Sequence, residues 1–246
     1  MRTLLVTSAV TFVPHNYDKL TLPLAQEPHI EALVIIDNRS WDILVKAFLL
    51  ILTLAAPRMG WQLLKNFFDN SLKRKQQAYE AAGKKVYVIK DINSDTSLAL
   101  LERLQPDLIL NARTRSFFKK KLLAVPKMGC LNIHHGLLPD QRGLMCDFWA
   151  HLLDTPAGFS IHEMTSKLDD GALLKVVEVP SDKKDYLKSL DLGASFEAKA
   201  ASQILQEFAS QGKIQGLENQ KTERTVYRSN PRLRDFYRLR SKGVRI

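Results

Sequence analysis

The chain has 246 residues, 45% hydrophobic and 25% charged, which is enough to bury a full core in one large α/β domain or a domain with an appendage, and which excludes a disordered chain. Two cysteines, Cys130 and Cys146, lie 16 residues apart without metal-ligand spacing, and no secretory pattern follows Met1-Arg2, so a reducing, cytoplasmic setting is expected. Of the formal net charge of +10, residues 221–246 carry +7, so the body is nearly balanced and a basic catalytic surface is not implied.

Residues 3–10 and 32–37 are short apolar runs that read as buried parallel strands. Residues 40–78 fit a compact α/β domain less easily, because 43–54 are apolar but for Lys46 and Thr53 and are followed by Pro57-Arg58, Trp61, Phe67-Phe68 and Lys73-Arg74-Lys75. The longest apolar part, 47–56 with one Thr, is about half of the ~20 residues a bilayer-spanning helix needs. Two readings stay open: a buried helical hairpin inserted between strands, or an interfacial element in which residues 43–75 touch a membrane peripherally, at its inner face.

Residues 85–89, 107–111 and 129–134 continue the strand series, and Leu98, Leu101 and Leu104 place one apolar face on a helix over 96–105. Strand, helix, strand repeated this way indicates a doubly wound, Rossmann-like, mostly parallel sheet with flanking helices. Residues 159–164 and 172–179 are β-like and joined by Lys167-Leu168-Asp169-Asp170-Gly171, a hairpin signal. Phe196, Ala200, Ile204, Leu205 and Phe208 give residues 194–211 one apolar helical face, closed by Gly212. Asn230-Pro231 reads as a cap with proline at the first position of a short helix to about Arg240. The expected division is a catalytic domain over 1–180, with the insert at 40–78, and a helical, basic extension over 181–246.

One stretch reads as chemistry. Side chains alternate faces along a strand, so Asn132 and His134 share a side while Ile133 and His135 take the other. Both polar residues sit at a strand's carboxyl end, where open α/β sheets bind ligands. An Asn can donate to an oxygen that becomes negative, a His can move a proton, and Asp169 can fix the imidazole tautomer. On spacing alone the same residues would equally serve to satisfy strand-end backbone groups.

The surrounding motifs narrow this choice. Asn132-Ile-His-His-Gly-Leu-Leu-Pro139, Arg142-Gly143, Phe148-Trp149-Ala150, Gly158-Phe-Ser-Ile-His-Glu-Met164 and Leu168-Asp-Asp-Gly171, in this order, closely resemble the folate-dependent formyltransferases. That family includes glycinamide ribonucleotide transformylase, methionyl-tRNA formyltransferase and sugar N-formyltransferases. The resemblance is strongest over 105–179. It implies that Asn132, His134 and Asp169 match the catalytic residues, with Asp170 where the family varies, and that a formyl group moves from 10-formyltetrahydrofolate to a primary amine without a metal. It further implies a pterin pocket at the strand ends and the 164–171 loop, with Leu110, Leu138, Met164, Leu168 and Gly171 beside the folate. Arg113 and Arg115 stand where relatives are more apolar, so they would face solvent or meet the folate's glutamate tail, Arg115 being the candidate contact.

The acceptor follows by exclusion. The purine-pathway relatives carry a glycine-rich phosphate loop after the first strand, whereas residues 7–16 here contain no glycine. The tRNA-modifying relatives carry a further β domain, while the 67 residues after Val179 are mostly helical by pattern. The Tyr227, Arg228, Arg232, Arg234, Phe236, Tyr237, Arg238 pattern suits a helix docked on the body as well as it suits a nucleic acid. An anionic amino-sugar derivative, nucleotide- or lipid-linked, is the expected partner, with tRNA as the alternative and a homo-oligomer left open. A formyltetrahydrofolate hydrolase, whose relatives carry an N-terminal regulatory domain, and a non-catalytic binding protein on this fold are the competing classes.

Overall fold

The structure is a computed structural model describing residues 1–246. Its centre is a seven-stranded sheet built from β1 (Thr3–Ser8), β2 (Ile30–Ile36), β3 (Lys85–Ile89), β4 (Leu108–Asn111), β5 (Cys130–His134), β7 (Gly158–Glu163) and β8 (Leu173–Glu178), in the spatial order β3-β2-β1-β4-β5-β7-β8. The first five strands are parallel, and β7 and β8 add antiparallel at one edge. A second, two-stranded sheet pairs β6 (Gln141–Gly143) with β9 (Val226–Arg228). The helices are α1 (Asp18–Thr21), α2 (Trp41–Leu52), α3 (Pro57–Phe68), α4 (Ser71–Ala81), α5 (Asp95–Leu104), α6 (Lys120–Leu123), α7 (Cys146–Leu153), α8 (Tyr186–Gln211) and α9 (Leu233–Ser241).

β1 is buried on both faces, as its near-continuous apolar run requires, so the two sides of the sheet carry separate cores. The larger core brings Leu5, Leu33 and Leu131 together with Ala194, Ala201 and Phe208 of α8 and Phe236 of α9. The smaller one seats Leu98 and Leu101 of α5 on Val6, Val34 and Ile109. Helix α8 begins earlier than its apolar stripe suggested, because the Asp185 carboxylate accepts the Lys188 N–H and caps it. Helix α9 starts at Leu233 rather than at Pro231: the Asp235 carboxylate accepts the Arg232 N–H, so Arg232 is the cap and Asn230 lies outside. Tyr227 and Arg228, read as part of a helical pattern, belong to β9.

The insert is three helices. A methyl group at Gly60 would sit 2.6 Å from the Ala47 carbonyl oxygen, so α2 and α3 approach closely as a hairpin. The hairpin is buried on one side only: Ala47, Met59 and Leu64 face inward, while Trp41, Leu52 and Phe68 lie open. The expected helical hairpin is therefore present between strands, but it is buried on one face and exposed on the other.

Helices α3 and α4 also hold the loop after β1. There His15, Asn16 and Tyr17 form a left-handed turn, with φ of 54°, 52° and 63°, a conformation costly for side-chain-bearing residues. Asn66 of α3 donates to the Thr11 and Val13 carbonyls at 2.8 and 2.6 Å, and its own carbonyl accepts from the Asn16 amide at 3.0 Å. Lys75 of α4, fully buried, donates to the Asn16 carbonyl at 2.6 Å, and its ammonium is pushed down to about 8 by burial. Five bonds of this kind over-determine the turn, since Asn16 Oδ1 also accepts the Thr11 N–H at 2.7 Å.

Candidate active site

Asn132 and His134 lie on β5 at the carboxyl end of the sheet, and Asp169, in the β7–β8 loop, comes back over them. The Asp169 Oδ1 to His134 Nδ1 distance is 3.4 Å, and Asp169 and His134 are nearly buried. The other imidazole nitrogen, Nε2, donates to the Gln141 carbonyl at 2.8 Å. The tautomer is therefore set from the Gln141 side rather than by Asp169 as the residue pattern suggested, which leaves Nδ1 as the nitrogen that can exchange a proton. Gly136 allows this packing, because a methyl group there would sit 2.6 Å from His134 Nε2.

Asp169 has φ of 50° and is pinned on both sides. Its Oδ2 accepts the Gly143 N–H at 2.8 Å, and Asn219 Nδ2 donates to the carbonyls of Asp169 and Gly171 at 3.0 and 2.9 Å. The guanidinium of Arg142, fully buried, donates to Asp170 at 2.7 Å and to the Asn219 carbonyl at 2.8 Å. Asp170 is thus an anchor for the loop, held by a charge-assisted pair whose removal on one side would leave a buried ion. That Arg142 hydrogen bond lowers its carboxyl below the usual carboxylate range.

The orientation of Asn132 follows from a chain of hydrogen bonds with a backbone group at each end. The Thr114 N–H donates to Asn111 Oδ1 at 3.2 Å, so the other atom of Asn111 is its nitrogen, which donates to Asn132 Oδ1 at 2.9 Å. That turns the Asn132 nitrogen toward His162 Nε2, 3.2 Å away. From the far end, His162 Nδ1 lies 2.7 Å from the Glu163 carbonyl and must carry its hydrogen, so Nε2 is the acceptor. Both ends dictate the same polarity. Burial, aided by the neighbouring His134, pushes the His162 imidazole down to about 4, keeping it neutral as this chain requires. The amide of Asn132 has a second N–H, and this is the donor it can offer outward.

His135 points to the opposite side of β5, as strand alternation requires. It bridges Asp147 Oδ2 at 3.0 Å and Glu197 Oε1 at 2.6 Å. Arg113 donates to Glu197 at 3.0 Å and stacks 4.5 Å over the Tyr17 ring. The side chain of Arg113 is therefore largely covered against α8, a correction to its expected solvent or folate contact; its place is fixed by the buried Glu197 carboxylate, which needs a cation. Burial pushes Glu197 up to about 7. Sequence reasoning passed over Glu197, although a lone acid among Gly193, Ala194, Ala198 and Ala201 on the inner face of α8 is an anomalous residue for a core stripe. A small cavity beside this cluster is lined by His135, Asp147, His151, Gly193 and Glu197.

The expected folate residues fall in two groups. Leu168 and Arg115 are exposed and Met164 half-buried around the loop, with Arg115 donating to Asn230 Oδ1 at 2.6 Å. Leu110, Leu138 and Gly171 are buried, Leu110 within the larger core, so its side chain packs rather than lines a pocket.

Comparison with known proteins gives the family. The formyl transferase domain model matches residues 69–205. The chain is 31% identical over 127 residues to a bifunctional polymyxin resistance protein ArnA of Wigglesworthia glossinidia brevipalpis, covering 51% of this chain and 19% of that protein. It is 36% identical over 128 residues to a methionyl-tRNA formyltransferase of Geobacillus sp. (strain WCH70), covering 51% and 40%. The chain thus spans less than half the length of these curated relatives. Among solved structures, a phosphoribosylglycinamide formyltransferase from Streptococcus pneumoniae TIGR4 superposes with a TM-score of 0.60 at 16% identity, over 85% of this chain and 98% of that one. A sugar N-formyltransferase from Shewanella sp FDAARGOS_354 gives 0.58 at 18%, over 97% and 86%. These structural likenesses extend the shared fold to nearly the whole chain, and the domain match, which covers more than half of it, shows that the chain belongs to the formyl transferase family.

Proposed function

We propose that this protein transfers a formyl group from 10-formyltetrahydrofolate to a primary amine, with an amino sugar as acceptor. The observation that carries the reading is the convergence of Asn132, His134 and Asp169 at one strand end, with Asn132 oriented to donate. The amine nitrogen attacks the formyl carbon, and the carbonyl oxygen takes on negative charge, which the outward N–H of Asn132 stabilises. The attacking nitrogen must lose a proton and the departing folate nitrogen must gain one. His134 Nδ1, with Asp169 beside it, is the group that moves that proton. The folate itself would lie along the 164–171 loop, where Leu168 and Met164 offer apolar surface and Arg115 a cation for its carboxylates.

The loop after β1 supports the choice of acceptor. Several of its amides are already engaged: Val10 N–H by Asn38 Oδ1 at 2.9 Å, Thr11 N–H by Asn16, and Asn16 N–H by the Val13 carbonyl at 3.1 Å. A backbone cradle for a ribonucleotide phosphate would need those donors. Methionyl-tRNA is the second reading, favoured by the several methionyl-tRNA formyltransferases among the relatives, at 31–38% identity.

The test incubates 10-formyltetrahydrofolate with the protein and, separately, pooled amino-sugar nucleotides, charged methionyl-tRNA or buffer, and follows tetrahydrofolate release. Release with the sugars alone is expected. Release with tRNA alone would move the acceptor to the second reading, and release in buffer would make the protein a hydrolase.

A further inference from the structure

We infer that the α2–α3 hairpin, together with α9, docks on the surface of an anionic phospholipid bilayer. The starting point is a helix that is apolar on both its inner and its outer face, with only Asp42 and Lys46 polar among its 12 residues. Trp41, Val45, Phe48, Leu49 and Leu52 form one stripe along the outer face of α2, with Trp41 81% and Leu52 77% exposed, while Ile43, Ala47 and Leu50 face the protein. A helix with two apolar faces has its outer face covered by something, since contiguous exposed apolar surface of this kind marks an interaction site. At 12 residues α2 is about 18 Å long, and no helix of the protein is long and apolar enough to cross a membrane. A helix of this length can lie in the plane of a bilayer surface.

The surroundings choose the occupant. Along the outer face of α3, cations alternate with aromatics: Arg58, Trp61, Lys65, Phe68, all exposed and spaced three or four residues apart. Residues 41–68 contain Lys46, Arg58 and Lys65 against Asp42 alone. The basic tail, distant in sequence, is brought to this same edge. Tyr237 and Arg240 of α9 donate to the carbonyls of Thr53 and Leu54 at the α2–α3 turn, and the Ile246 carbonyl accepts the Arg58 N–H at 3.2 Å. An exposed apolar stripe with tryptophans and exposed lysines on the same hairpin, beside an Arg58 that is paired with Asp185 at 2.9 Å, is the composition of an interfacial element on anionic lipid. A second copy of this chain would set this positive patch against itself, at an electrostatic cost.

The inference is independent of the acceptor and of the formyl chemistry, and its test does not read activity. The intact protein is mixed with phosphatidylglycerol–phosphatidylcholine vesicles or with pure phosphatidylcholine vesicles, and sedimentation and tryptophan emission are recorded. Trp41 and Trp61, two of the three tryptophans, are open to solvent and report insertion directly. Expected are binding and a blue shift on the anionic vesicles only, weakened about tenfold or more in Val45→Glu/Leu52→Glu and in Lys46→Glu/Lys65→Glu. All four positions are on the open face, so circular dichroism should show the fold unchanged. Absence of binding by the wild type, binding by both double variants as tight as the wild type's, or a wild-type dimer that Leu52→Glu converts to monomer would each overturn the inference, the last in favour of a second copy.

Discussion

Replacing Asn111 with aspartate tests whether the hydrogen-bond chain sets the catalytic donor. The new carboxylate keeps an oxygen for the Thr114 N–H but turns its other oxygen on Asn132 Oδ1, 2.9 Å from the present nitrogen. Asn132 then flips to donate toward the carboxylate, and its carbonyl oxygen faces His162 Nε2, which carries no hydrogen because Nδ1 donates to Glu163. The outward N–H is lost from the place where, in the proposed reaction, the oxyanion forms. Removing one such donor costs about 10²–10³-fold in kcat. Asn111→Ala, which deletes the constraint without reversing it, should cost only about tenfold, the worth of one neutral hydrogen bond. Position 111 is buried, so the introduced carboxyl takes a raised pKa, and once protonated it can donate to Asn132 Oδ1 and restore the polarity. The kcat of Asn111→Asp should therefore recover as pH falls, with KM for the folate little changed, in steady-state assays across pH. Equal, small losses in both variants with no such recovery would refute the orienting role.

His162→Gln should flatten the acid limb of stability. The imidazole is held near 4 in the folded state against about 6.5 unfolded, so the unfolded chain binds the extra proton between those values and folded stability is lost as pH drops through that window. Chemical denaturation at pH 4–7 reads the difference. Glu197 has the opposite sign: its raised folded pKa, about 7, makes the folded state bind the extra proton, so its contribution falls as pH rises from the ordinary carboxyl range toward 7, and Glu197→Gln should remove that slope. Asn66→Ala deletes two donated bonds and the Gln62 contact, leaves the Thr11 carbonyl without a partner and the Val13 carbonyl with only the Asn16 N–H, and should cost about 2 kcal/mol in urea denaturation.

The strands were legible because their apolar runs are short and bounded, and the run at 85–89 coincides with β3. The alternation that separated His134 from His135 is a property of any extended backbone, and the structure places the two rings in different polar clusters accordingly. Helix starts were less legible: a cap such as Asp185 or Asp235 is defined by one hydrogen bond and not by periodicity. Glu197 and Asn111 were passed over, and Arg113 was given the wrong surroundings, because their partners are 84 and 21 residues away, a separation no local pattern encodes. The insert gave conflicting signals because it has two apolar faces, one answering to the core and one to the outside.

The central claim, formyl transfer by Asn132, His134 and Asp169, is tested most directly by following the label from 10-[¹⁴C]formyltetrahydrofolate into pooled amino-sugar nucleotides. The wild-type protein should form labelled N-formyl sugar, and Asn132→Ala, His134→Ala and Asp169→Asn, each shown to be folded, should form at least about a hundredfold less. Label transfer undiminished in those three variants, or no transfer to any amine by the wild type, would contradict it.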